Sequence, residues 1–126
     1  MDTNAVVWFE IYVKDMPRAK AFYEAVLGQK LEKLGDPGPE VSEMWSFSGK
    51  PDKPGAAGAL VKMEGVPSGM GGVIIYFSCQ DCAVECARVP KSGGKIMKDK
   101  FSIGQYGFIA LVTDPDGNTV GLHSMK

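Results

Sequence analysis

Apolar positions along the chain come in short blocks whose period switches between two and helical spacing. Ala5 to Val13 alternates, with Trp8, Glu10 and Tyr12 on one face and Val7, Phe9, Ile11 and Val13 on the other, which predicts a strand. Asp15 stands where a helix N-cap belongs, and Pro17 is tolerated in a first helical turn. Ala19, Phe22, Tyr23 and Val26 recur at i, i+3, i+4 and i+7, so an amphipathic helix with these four inward is expected, closed by a left-handed Gly28. Strands are expected over Gln29–Leu34, Val41–Ser48 and Ala57–Met63, separated by the turn-forming runs Asp36-Pro37-Gly38-Pro39 and Lys50–Gly55. After a Gly-rich stretch at Gly65–Gly72 the pattern starts again. Val73–Cys79 reads as a strand, Asp81 as an N-cap, and Cys82, Cys86 and Val89 as an apolar helix face that ends at Pro90 and Gly93-Gly94. Lys95–Ser102, Tyr106–Thr113 and Thr119–Met125 complete the set, the last two joined by the turn Asp114-Pro115-Asp116-Gly117-Asn118.

The same order, βαβββ, is therefore written twice, and aligning Asp15 with Asp81 puts Gly28 against Gly94. We read one α+β domain over residues 1–126, with module one at about 5–64 and module two at about 71–126. Modules of about 60 residues cannot cover both faces of a sheet alone. Their helices should lie outside and their sheets curve toward each other as a paired half-barrel, leaving a cup as the expected ligand site.

Composition narrows the class. The chain is 44% hydrophobic and 23% charged, an ordinary globular balance. A net charge of -1 lacks the basic surplus that phosphate backbones require, which excludes nucleic acid as the main partner. No apolar run approaches the ~18 residues of a membrane span, so no membrane partner is expected. Met1-Asp2-Thr3-Asn4 has neither the basic flank nor the apolar core of a secretory signal. Three cysteines cannot all pair within one chain, which fits reduced thiols and a cytoplasmic location.

The run from Trp8 through Asp15-Met16-Pro17-Arg18 to Phe22-Tyr23 resembles the opening signature of the glyoxalase/bleomycin-resistance/dioxygenase (vicinal oxygen chelate) superfamily, and Asp114-Pro115-Asp116-Gly117-Asn118 before a last strand resembles its closing one. The resemblance spans essentially the whole chain. It implies a glyoxalase-like pair of βαβββ modules, usually a homodimer, and in many members one divalent metal in the cup that chelates vicinal oxygens of the substrate. Other members are metal-free and sequester a drug, so fold does not settle chemistry. Carried over by position, the family's His, Glu or Gln ligand sites fall on Trp8, Ile74, Gly121 and, before the central loop, near Ala59. None of these side chains can hold a divalent cation, and no family-type metal or other cofactor is expected.

Two residues further along three of those strands stand Glu10, Tyr76 and His123, the only histidine. A shift of two keeps a side chain on the same face. One reading makes them a metal-free catalytic or anchoring set, with Glu10 as base or anchor, His123 as proton donor and Tyr76 as hydrogen-bond donor, in a lyase- or isomerase-type enzyme. Another pairs Glu10 with His123 in a polar seam. A third gives Glu10 and His123 a weak metal site with waters. The expected ligand wall comprises Trp8, Glu10, Tyr12, Trp45, Phe47, Tyr76, Phe108 and His123, suited to a partly apolar or aromatic small molecule. Cys79, Cys82 and Cys86 form C-x2-C-x3-C, but with no second cysteine pair they read as small buried hydrophobes. Lys95, Lys98 and Lys100 fit a strand edge protected against sheet-to-sheet pairing.

Overall fold

A computed structural model of the chain describes residues 4–35, 38–50 and 52–126. Asp36, Pro37 and Pro51, within two of the expected loops, and the first three residues lie outside the described set. Among the described residues there are eight strands and two α-helices, an α+β fold built from two βαβββ units. No described helix is long and apolar enough to cross a membrane.

The first unit covers residues 8–73. It holds most of β1 (Val6–Tyr12), then α1 (Met16–Leu27), β2 (Glu32–Lys33), β3 (Glu43–Ser46) and β4 (Ala57–Lys62). β1 runs parallel to β4, and β3 pairs antiparallel with both β4 and β2. α1 starts where the sequence predicts: the Asp15 carboxylate accepts the Arg18 N–H at 3.0 Å, satisfying one of the first-turn donors. It ends at Gly28, whose φ of 68° is open to a residue without Cβ and whose N–H returns to the Glu24 carbonyl. One face of the sheet packs on α1, with Met16, Leu31 and Leu60 buried against Ile11, Val13, Ala19, Tyr23, Trp45 and Phe47. The helix is rotated from the expected stripe. Met16 is fully buried, and Ala19 and Tyr23 follow it inward, while Phe22 and Val26 stand 58% and 63% exposed. Lys20 shares the inner side by laying its ammonium 3.3 Å from the centre of the Trp45 ring.

The second unit comprises residues 74–126 with the beginning of β1 through Val7. Its elements are β5 (Val73–Ser78), α2 (Cys82–Arg88), β6 (Lys95–Ser102), β7 (Phe108–Thr113) and β8 (Thr119–Ser124). The pairing repeats that of the first unit: β5 is parallel to β8, and β7 is antiparallel to β8 and β6. Ser78 N–H also donates to the Ala5 carbonyl at 2.9 Å. Asp81 caps α2 by accepting the Ala83 N–H, and its charge is held by Lys100 Nζ at 2.9 Å. Cys82, Cys86, Ala110, Val112 and Leu122 form the core beneath α2, so the two helical cysteines sit as the small apolar residues the period predicts. The Asp114–Asn118 turn closes as expected, with Gly117 at φ 87° and Asp114 N–H bonded to the Asn118 carbonyl.

Candidate functional site

In each unit one sheet face carries the helix and the other does not, and the polar candidates lie on the second. Ile11 packs toward α1, so the alternating Trp8, Glu10 and Tyr12 point to the helix-free face of β1. There they form one hydrogen-bonded group. The Trp8 indole N–H donates to Glu10 Oε2 at 3.0 Å, and the Tyr12 hydroxyl donates to Glu10 Oε1 at 2.7 Å. Glu10 is buried, and its neighbour across the parallel ladder is Ala59, a methyl group with no exposure at all. Burial pushes the Tyr12 hydroxyl far above the ordinary phenol range, reinforced by the negative charge of Glu10 and their hydrogen bond. Tyr12 therefore stays a donor at any working pH. The group is a carboxylate gripped at both oxygens between two aromatic rings, which holds indole and phenol in fixed positions.

In the second unit the same alternation places Tyr76 and His123 on the helix-free face, because Phe77 and Leu122 pack under α2. Tyr76 pairs with Gly121 and Ser78 with His123, making Tyr76 and His123 diagonal neighbours on adjacent strands. The Tyr76 ring lies directly over Gly121: a Cβ there would sit 2.1 Å from Tyr76 Cδ1. His123 Nε2 lies 2.6 Å from the Tyr106 carbonyl, which only accepts, so that nitrogen carries a proton. This bond fastens the turn Gly104–Tyr106 to β8 and leaves Nδ1 as the ring's other polar atom.

Three residues of the expected wall are elsewhere. Trp45 and Phe47 pack on α1, Trp45 with its indole N–H bonded to Glu43 and Phe47 stacked edgewise on Tyr23. Phe108 packs beneath α2 with the Lys100 ammonium over its ring. Each is an aromatic residue whose strand face was open in the sequence, because apolar residues stand on both faces of β3 and β7. A residue the sequence reading passed over is Gly121 as a seat for Tyr76. The signal available was a glycine inside a strand, which marks close approach by a neighbour.

The four positions onto which the sequence resemblance carries metal ligands do not fit a divalent cation. The Trp8 indole nitrogen has no lone pair to give and its N–H is engaged by Glu10. Ala59 and Ile74 present hydrocarbon, and beyond Gly121 the space is filled by an aromatic ring.

Cys82 and Cys86 are buried as expected, whereas Cys79 is only half-buried. Burial raises the Cys79 thiol to about 11, helped by the nearby Glu85 carboxylate, and burial with Asp99 also raises Cys86.

Comparison with known proteins gives these faces a context. The profile of the Glyoxalase/Bleomycin resistance protein/Dioxygenase superfamily matches residues 5–122. A lactoylglutathione lyase of Salmonella typhimurium is 34% identical over 119 residues, covering 90% of this chain and 87% of that protein. CFP32, a Mycobacterium tuberculosis protein provisionally named a glyoxylase, is 30% identical over 118 residues; these cover 91% of this chain but 43% of CFP32, so the chain spans less than half of that relative. Among solved structures, a Streptomyces coelicolor methylmalonyl-CoA epimerase variant in complex with 2-nitronate-propionyl-CoA superimposes with a TM-score of 0.66, covering 96% of both chains at 20% identity. A Bacillus halodurans protein, BH1468, gives a TM-score of 0.70 at 14% identity, covering 96% of this chain and 94% of its own. At such identities these two structures speak for the fold alone.

Proposed function

Because this chain belongs to the Glyoxalase/Bleomycin resistance protein/Dioxygenase superfamily, we propose that it binds a small, partly apolar or aromatic organic molecule without a metal ion, on the helix-free faces of its sheets. It acts as a cytoplasmic homodimer in this reading. The observation that carries it is the Trp8–Glu10–Tyr12 group: two rings pinned by one buried carboxylate on the helix-free face of β1. Rings fixed before binding lose little freedom when a flat ligand stacks on them. On the second unit's own helix-free face Tyr76 and His123 offer polar groups to a ligand, the phenol as donor and His123 through Nδ1.

Thermal-shift titration of EDTA-treated protein against a panel of aromatic and short-chain organic molecules tests this. At least one compound is expected to raise Tm with micromolar affinity, and Glu10→Gln should weaken it about tenfold, or about 1.4 kcal/mol. Binding seen only after Zn2+, Ni2+ or Mn2+ is restored, with metal retained on elemental analysis, would overturn it.

A second reading, lyase or isomerase chemistry with Glu10 and His123 as acid and base, is favoured by the 34% identity with a lactoylglutathione lyase. It predicts turnover that Glu10→Gln and His123→Asn abolish while ligand affinity is largely kept. Both oxygens of Glu10 and one nitrogen of His123 already have partners, which weighs toward anchoring over proton transfer.

A further inference from the structure

We propose that the first unit carries a separate site for a small amphiphilic anion, a short apolar or aromatic body bearing a carboxylate or phosphate, in the groove where the end of β1 meets the Ser68–Gly72 loop. The groove is open to solvent and offers about 370 Å³, larger than a bare oxyanion needs. Its floor is apolar, built from Val13, Ala19 and the Tyr23 ring, and its rim carries Lys14 and Arg18. Among the described residues neither cation has a carboxylate within ion-pair distance; the ion pairs present there are Lys30–Glu24 and Lys100–Asp81. The one acidic group on the groove is Asp15, and its Oδ1 is turned to the Arg18 backbone N–H as the cap of α1. One positive charge is therefore left over at the rim of an apolar hollow.

The loop that completes the groove is held in place. Tyr12 N–H donates to the Gly72 carbonyl at 2.7 Å, and Gly72 N–H closes a turn onto the Gly69 carbonyl at 2.9 Å. Gly72 has no room for a side chain, since a Cβ would meet the Pro67 carbonyl oxygen at 2.9 Å, and Gly69 sits at φ 77°. This compact turn sets Ser68 and Gly69 in the lining of the groove that also carries the two cations. Apolar floor, excess cation and polar loop together select an organic anion over a neutral molecule or a free inorganic ion.

Amide NMR titration of the whole chain tests this with benzoate and phenyl phosphate as probes, benzyl alcohol as the body alone and inorganic phosphate as the head alone, at constant ionic strength. Saturable shifts at the Ser68, Gly69 and Arg18 amides are expected with one or both organic anions, at least fivefold tighter than with benzyl alcohol or inorganic phosphate. The better of the two probes identifies the head group. The double variant Lys14→Gln/Arg18→Gln, both exposed side chains outside the core, should keep its melting temperature and lose the affinity at least fivefold. Shifts matching those of sodium chloride, equal affinity for either half-probe, or unchanged affinity in the double variant would overturn the site. Because the readout is the groove's own amides, absence of a ligand at Glu10 would leave the result standing.

Discussion

Gly121 and Tyr12 show how much of this protein turns on single contacts. A methyl group at 121 would fall 2.1 Å from the Tyr76 ring, and the ring is buried, so it has to leave its place or push the strand. Gly121→Ala is expected to cost about 1–3 kcal/mol in urea unfolding, as overpacking of a tight interior does. The same change in a Tyr76→Ala background should cost much less, since the clash is gone, and the difference between the two backgrounds measures the contact. At Tyr12 the hydroxyl donates to a buried carboxylate, as the Trp8 indole does. Tyr12→Phe keeps the ring and removes the donor, for an expected loss of about 1.5–3 kcal/mol, the range for a hydrogen bond to a charged group. If Tyr12→Phe proves neutral by the same measurement, Glu10 is held by other partners.

At the scale of elements, α1 offers a direct check on which side of a helix faces inward. Met16→Ala removes a fully buried side chain and should cost about 2–5 kcal/mol, whereas Phe22→Ala, on the outer side, should stay within about 0.5 kcal/mol. Comparing the two unfolding midpoints decides between the observed face and the stripe the sequence suggested. That stripe shows where sequence reading reached its limit. Cap residues at Asp15, Gly28 and Asp81, the Asp114–Asn118 turn, and the repeated βαβββ order were legible because each is set by local backbone chemistry. Which aromatic faces inward depends on contacts far along the chain, as with Trp45, held by Lys20 and Glu43, or Phe108, covered by Lys100. β2 shrank to Glu32–Lys33 from an expected six residues, because its pairing is limited to a short stretch of β3. At the site, the face of Trp8, Glu10 and Tyr12 followed from alternation alone, but their mutual hydrogen bonds did not. The partner of His123, a backbone carbonyl at Tyr106, has no sequence signature.

For the whole molecule, the shifted groups define the pH range of stability. Cys79, Cys86 and Tyr12 have values raised by burial, so their protonated forms are favoured in the fold. That contribution is complete below the ordinary thiol value near 9 and, for Cys79, is lost as pH climbs to about 11. Asp81 and Asp114 are lowered, by the Lys100 contact and by the Asn118 side chain respectively, and their contribution is lost as pH falls through their folded values below 3.8. Urea unfolding across pH should show a plateau between these limits, and Cys79→Ala should flatten the alkaline limb between about 9 and 11. The ring seated on Gly121 also bears on ancestry. A lineage that placed any side chain at that strand position would first have to surrender the tyrosine opposite. The mutation that supplies a side chain there is harmful on its own and tolerable only in second place, so the two positions can change only as an ordered pair.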